Sequence, residues 1–372
     1  MFNKKNIKMS ILSAAILAFG STSVSATEVT DQLSISGKAY FGLQNNKTDN
    51  FNSATGTTTT ANKSTGLSVD RFYLQAKYQV NDQWFGTIVT DVNNEQNTVP
   101  GLKRSTNVFL KYAYVEGKFS DEVQVRLGLS NTPWIGYEEK LWAHRYVSNV
   151  YTDFFKMDDS ADYGLGLKGK FMDDMLEYWL TYSNGGGYGK PNATQAMDIS
   201  GRFTVHPIEG MDISLGFRDG YRGNKRLVTN AVTGVIATAA NPIKETLNQV
   251  LLSYGQETWR VGGNFVINNK KDNTSTVNKA TGYNVWAWAR FAEDYGVFAR
   301  YDYLKSTPLA STFSAKTSHY IVGLEYFETQ GMTFSLALDN TKVTNGNAAW
   351  TATALNDTSK TTKVGLYSEF RF

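Results

Sequence analysis

The chain has 372 residues and no cysteine, which excludes a disulfide scaffold, a thiol nucleophile and any cysteine-ligated metal centre. Its 37 basic residues slightly outnumber its 34 acidic ones, but three of the lysines fall in the first 26 residues; the rest is formally neutral and gives no charge argument for nucleic acid as a partner. The three histidines, His144, His206 and His319, are scattered without metal-ligand spacing, and neither a metal nor a cofactor is expected.

Residues 1–26 read as a cleaved signal peptide. Lys4, Lys5 and Lys8 make a basic start, an apolar run follows from Met9 to Phe19, and Val24-Ser25-Ala26 supplies the small residues a signal peptidase accepts. The run is too short for a membrane-spanning helix, which needs about 20 residues. Residues 27–372 show no linker and no break in composition, so a single domain is expected there.

Strict alternation begins at once. In "LSISGKAYFGL", Leu33, Ile35, Ala39, Phe41 and Leu43 share one face, while Ser34, Ser36, Lys38 and Tyr40 share the other. A polar stretch, 45–65, reads as a long loop. The next strand, about 67–80, alternates Phe72, Leu74 and Tyr78 with Arg71, Tyr73 and Lys77, and ends in a tight Asn81-Asp82 turn. Short turns then recur at 120–122, 172–174, 207–210, 255–257, 292–294 and 328–331. Longer segments alternate with them near 94–106, 131–161, 184–196, 220–246, 268–281, 305–317 and 340–361. The count is about sixteen strands, with short turns at one end and long loops at the other, as in transmembrane barrels. Aromatic residues such as Tyr78, Trp84, Phe119, Phe171 and Tyr254 gather at strand ends, where lipid interfaces favour them. The expected fold is all-β, a transmembrane antiparallel β-barrel.

"GLGLKGK", residues 164–170, has the G-x-G-x-x-G spacing of a dinucleotide-binding loop, a motif that requires a helix opening inside it. Here Tyr163, Leu165, Leu167 and Phe171 alternate with Asp162, Gly164, Gly166, Lys168 and Lys170, and Asp173-Asp174 turn the chain straight afterwards. The stretch reads as one more strand, with its glycines mostly on the inward face.

The last strand, "KVGLYSEFRF", alternates to a final Phe372 and resembles the terminal strand of Gram-negative outer-membrane proteins. With sixteen strands and an export leader, the chain resembles the trimeric porins. "VRLGLSNTPWIG" is similar to the strand-to-loop passage of the phosphate-selective porin O/P family, although the dense arginine ladder of that specificity has no positional match here. The resemblance implies a homotrimer in outer-membrane lipid. It also implies that the third long loop, Asn131 to Ala161, folds into the barrel and narrows it. That segment is too apolar for a solvated tip: Trp134, Ile135, Tyr137, Leu141, Trp142 and Tyr146 call for burial.

Taking the polar phase of each strand as lumenal gives pore-wall cations Lys38, Arg71, Lys77, Lys111, Arg126, Lys168, Arg202 and Arg300, with fewer acids. Lys38, Lys77, Arg126, Lys168, Arg202 and Arg300 are expected near mid-height. Lys38, Lys77, Lys111 and Arg126 come from strands one, two, four and five and should form one wall. The phase is ambiguous for strands four, seven and twelve; the first two carry Lys111 and Glu177. Opposite the wall the loop would present Glu138, Glu139, Asp158 and Asp159, with Trp134, Tyr137, Lys140, His144 and Arg145 completing the constriction. Opposed charges across a water-filled gap would orient polar solutes and bias ions.

The expected function is passive diffusion of small hydrophilic solutes and ions, with a weak anion preference from the basic lumen. Two alternatives stay open. One is a channel specific for phosphate-like anions or for sugars, the latter if Trp286 and Trp288 face inward. The other is a non-conducting surface barrel acting as adhesin or structural link. No nucleophile–base pair is evident, so an enzyme is not expected.

Overall fold

The computed structural model describes residues 27–93, 107–189, 197–222, 227–229, 236–238, 243–271, 276–308, 314–329, 331–344 and 357–372. The expected signal peptide, 1–26, and the long segment 94–106 lie outside these.

Among the described residues, sixteen strands close an antiparallel barrel. In chain order they are β1 (Leu33–Asn52), β2 (Thr57–Gln79), β3 (Trp84–Asn93), β4 (Asn107–Lys118), β5 (Gln124–Asn131), β6 (Ala161–Phe171), β7 (Leu176–Ser183) and β8 (Asp198–Val205). Then follow β9 (Met211–Gly220), β10 (Lys244–Gln256), β11 (Trp259–Lys271), β12 (Thr276–Arg290), β13 (Tyr295–Pro308), β14 (Ala315–Thr329), β15 (Met332–Thr344) and β16 (Thr358–Arg371). Each pairs with its sequence neighbours, and β16 returns to β1 from Lys38 opposite Arg371 to Phe51 opposite Thr358. At this seam the Gly37 and Phe372 backbones exchange hydrogen bonds of 2.7 and 3.0 Å.

The faces divide as the alternation requires. Leu43, Leu74, Ile88, Leu127, Leu165, Val285, Leu324 and Leu366 point outward and are exposed, an apolar belt that only lipid or another apolar surface can cover. Inward positions are polar on most strands: Asp91, Arg126, Ser214, Asn264 and Asp302 are buried inside the barrel.

Three expectations need correction. The segment 45–65 is not a loop; β1 and β2 run on as a ribbon to a turn at 53–56. Its threonines and asparagines pair across strands, as in Thr48 with Thr361 at 2.9 Å and Asn45 with Thr65 at 2.8 Å. The segments 268–281, 305–317 and 340–361 shorten for the same reason, and 220–246 includes a small hairpin of 227–229 with 236–238. In β4, a bulge at Lys111 between Leu110 and Tyr112 shifts the phase. It brings Lys111 inside together with Tyr112, Tyr114 and Glu116, the last a lumenal acid that unbroken alternation hides.

The G-x-G-x-x-G stretch is β6. A Cβ on Gly169 would fall 1.8 Å from the Glu122 carbonyl oxygen, and one on Gly164 would fall 2.4 Å from that of Tyr182. The nearest atoms to a Cβ on Gly166 are 3.6 Å away, ordinary contact. Two of the three glycines therefore answer to neighbouring backbone, not to the lumen. Gly169→Ala should destabilise the barrel by about 2 kcal/mol or more, and Gly166→Ala should be close to neutral. Unfolding midpoints in urea, read by heat-modifiable gel mobility, would separate the two.

Candidate functional site

Between β5 and β6 the chain turns into the lumen and forms two short helices, α1 (Ile135–Trp142) and α2 (Tyr151–Phe154). Helix α1 stops at Ala143, which takes the left-handed conformation at φ 64° while its N–H bonds the Glu139 carbonyl at 2.9 Å. The loop buries Trp134, Ile135, Leu141, Trp142, Tyr146, Val150 and Tyr151. It can do so because the inward face of one side of the barrel is apolar. Leu251, Trp286, Phe298, Ile321 and Ala337, from β10 and β12 to β15, form one cluster with the loop side chains. Trp134 lies over Gly216 of β9, where a Cβ would fall 2.4 Å from the indole.

Polar contacts fasten the same side. Arg202 donates to the Pro133 carbonyl at 2.9 Å, Arg300 to that of Asn149 at 2.6 Å, and Trp288 Nε1 to that of Leu141 at 3.0 Å. Tyr137 donates to Asp212 at 2.9 Å and Tyr151 to the Tyr303 carbonyl at 2.8 Å. At the tip, Glu325 Oε1 lies 2.5 Å from His144 Nε2 and accepts from the Tyr146 hydroxyl at 2.8 Å.

This seating redistributes the expected constriction residues. Glu138 does not face the β1–β5 wall; it is 1% exposed, accepting from Trp134 Nε1 at 3.2 Å and the Tyr151 N–H at 3.3 Å. Asp158 turns to Arg218 of β9 at 3.1 Å, and Asp159 to Arg222 at 2.6 Å. Trp134 and His144 are buried anchors, and Lys140 is exposed to solvent. Of the four loop acids, Glu139 remains on the open side, paired with Arg145 at 2.7 Å; Arg145 also reaches Asp153 at 3.4 Å, an acid the sequence reading passed over.

The facing wall is less basic than the sequence suggests. Arg71 is held by Asp91 at 2.9 Å. Glu116 takes both Arg126 at 2.5 Å and Lys168 at 3.0 Å. Arg202 pairs with Glu177, and Arg300 with Asp302 at 2.7 Å. Lys111 donates to Ser160 at 2.5 Å and sits 3.7 Å over the Tyr188 ring, without a carboxylate in salt-bridge range among the described residues. Lys38 lies 3.8 Å from Glu369 and keeps 39% of its side chain exposed. Lys77 rests on the Phe85 ring at 4.2 Å, three residues from the short turn, and Lys168 lies opposite Gln124 at the start of β5, so both sit near that end and not at mid-height. Trp286 and Trp288 do face inward, but Trp286 is buried in the cluster with the loop and Trp288 packs against it; they seat the loop.

The loop cluster reaches Tyr40 of β1 and Tyr367 of β16, with Tyr73 of β2 packed against it, while along β1, β2 and β4 the inward Lys38, Arg71, Gln75, Lys77, Tyr112 and Tyr114 stay half-buried. On the long-loop side lies a cavity of about 1110 Å³, lined by Arg71, Arg145, Lys156, Arg222 and Lys363 with Asp70, Asp159 and Asp339.

Two outcomes follow from the seat. Burial pushes the Glu138 carboxyl up to about 7 from 4.5, against the pull of Arg300. A raised carboxyl pKa favours the packed loop when protonated, so loop protection is greatest below pH 4.5 and falls as pH rises to about 7. Glu138→Gln removes the ionisation while keeping an acceptor. Above pH 7 its loop should exchange amide hydrogens more slowly than the native loop, by up to about 3 kcal/mol, with no difference below pH 4.5. Gly216→Val should lift Trp134 and α1 off β9, costing about 1–3 kcal/mol and narrowing the lumen, visible as raised exchange across 134–142 and reduced conductance.

No family model and no curated protein matches the chain. Among solved structures, the outer-membrane protein OmpT of Vibrio cholerae superposes with a TM-score of 0.61 at 10% identity, over 94% of this chain and 100% of that one. The anion-selective porin from Comamonas acidovorans gives 0.58 at 12%, over 92% and 100%. The outer-membrane channel DcaP of Acinetobacter baumannii gives 0.57 at 8%, over 94% and 100%. The chain thus has the sixteen-stranded barrel fold of the outer-membrane porins.

Proposed function

We propose that the protein is an outer-membrane channel through which small hydrophilic solutes and ions diffuse passively, exported by a leader over residues 1–26. The observation that carries this reading is the one-sided seat of the loop. An apolar segment seated mainly on the β9–β15 side, with Tyr40 of β1 and Tyr367 of β16 at its edge, leaves partly exposed polar side chains along β1, β2 and β4 beside the charged cavity. Size exclusion acts at Glu139 and Arg145; water and ions pass beside half-buried lysines and tyrosines.

A weak anion preference is the finer part of the proposal. Most lumenal arginines carry a contacting carboxylate, so the bias rests on the looser lysines, Lys38 and Lys77, and on Lys363 in the cavity. A sugar pathway along Trp286 and Trp288 has no support from their place behind the loop. A homotrimer is proposed on the resemblance. It is supported by an apolar concavity of about 530 Å³ on the outer wall between β1 and β5, where Ala76, Gly86 and Ala113 leave room for a neighbouring barrel.

Single-channel recording in a planar bilayer under a salt gradient tests this. Discrete steps with a small reversal potential of anion-selective sign are expected. Lys38→Glu should shift the anion-to-cation permeability ratio by about threefold towards cations. Folded protein that gives no conductance would refute the channel; cation selectivity in the native protein would refute the preference alone.

A further inference from the structure

A set of lysines on the outside of the barrel plays no part in the pore. At the long-loop end Lys47 of β1 and Lys63 of β2 are direct cross-strand partners. The arrangement recurs three times: Lys342 opposite Lys360 on β15 and β16, Lys305 opposite Lys316 on β13 and β14, and Lys244 opposite Lys271 on β10 and β11. Lys279 of β12 stands in the remaining strand of the arc, opposite Thr307.

Parity fixes their direction. Each lies an even number of residues, with no bulge between, from an exposed lipid-facing side chain of its own strand: Lys47 from Leu43, Lys305 from Tyr301, Lys316 from Tyr320, Lys342 from Leu336. The lysines are exposed except Lys244, which is half-buried with 43% of its side chain exposed. Among the described residues, two acids share this face and level, Asp49 at 2.7 Å from Lys47 and Asp219 at 2.9 Å from Lys244. Strands β3 to β9 carry no outward lysine at this level among the described residues.

Like charges directly opposite one another destabilise a sheet. Threonine, serine or asparagine fills most other outward positions here, yet four lysine pairs are placed face to face. The arrangement suits an anion that draws both ammonium groups together. Opposed side chains start about 5 Å apart at Cβ, within reach of a single phosphate. The height agrees. Tyr301 and Tyr320, partners across β13 and β14, face outward. Lys305 and Lys316 stand four residues farther out, about 13 Å along the strand and roughly 9 Å in height once strand tilt is allowed for. Interfacial tyrosines sit at the edge of the hydrocarbon, so the lysines reach headgroup level.

We propose that the long-loop end of the outer face of β10–β16, and of the β1–β2 ribbon beyond the concavity at its short-turn end, binds phosphate-bearing lipid headgroups of the leaflet on the long-loop side, each lysine pair holding one phosphate. The proposal requires the barrel to lie in a membrane, and it stands whether or not the barrel conducts.

The test uses the folded barrel in phosphatidylcholine vesicles containing a one-in-five share of phosphatidic acid. Quenching of the outward aromatic residues by spin-labelled phosphatidic acid is compared with quenching by spin-labelled phosphatidylcholine. The native protein should prefer the phosphatidic acid by roughly tenfold. The combined variant Lys305→Gln, Lys316→Gln, Lys342→Gln, Lys360→Gln should lose most of that preference, and the same four positions as arginine should keep it. Heat-modifiable mobility confirms that each variant is folded before quenching is measured. Equal quenching by the two lipids in the native protein overturns the proposal, as does a preference that the glutamine variant retains. Stabilisation of the native protein in detergent by inorganic phosphate, without any lipid preference, would assign a soluble anion to these pairs and overturn the lipid assignment.

Discussion

A peptide group in hydrocarbon has no water to bond, so every strand of this chain must find two neighbours. Closure of β16 onto β1 meets that requirement, and much else follows. Closed strands of period two present one face to lipid and the other to the interior, which inverts the usual layout of a globular protein. Leucine and valine lie outside, and Asp302, Arg300 and Asn264 lie within. A polar interior then needs internal pairing, which is why the arginines sit against carboxylates.

The inserted loop places a small globular core inside this inverted molecule. Trp134, Trp142 and Tyr146 bury themselves only because Trp286, Phe298 and Ile321 break the polar rule of the lumen along one side. The division of labour is spatial: the β9–β15 side carries most of the seat, and the β1–β4 side, apart from Tyr40 and Tyr73 beside the loop, keeps partly exposed polar side chains. Charges follow it. Asp158 holds the loop to Arg218 and His144 is buried against Glu325, while Glu139 and Arg145 face the wall of β1 and β2 as a pair and so present a dipole more than a net charge.

Most of the barrel was legible because alternation survives any exchange of one apolar residue for another. The phase of β2, β6 and β16 could be read directly, whereas the direction of Trp286 and Trp288 stayed conditional until the barrel placed them inward. The rest was lost for definite reasons. A bulge at Lys111 adds one residue to the pleat, which hid Glu116 and left Arg126 and Lys168 looking unpaired. The threonine- and asparagine-rich ends of β1 and β2 look like solvated loop, because their strand character comes from pairing at the long-loop end, beyond the apolar belt. The acids of the loop could not be assigned directions, since a segment without a fixed period does not reveal which side chains face its seat. A signal for the seat itself was present in "VLLSY", where Val250, Leu251 and Leu252 make both faces of β10 apolar.

The seam and the seat share a temporal consequence. Lys38 meets Arg371, and Tyr146 meets Glu325 and Ser335, so the decisive contacts join residues far apart in the chain. High contact order makes such structures slow to form. Until β10 to β15 are in place, the loop has no apolar surface to rest on, and a half-assembled barrel exposes both an unpaired strand edge and a tryptophan-rich segment. A barrel caught in that half-assembled form would expose apolar surface and an unpaired edge together, the combination that favours aggregation.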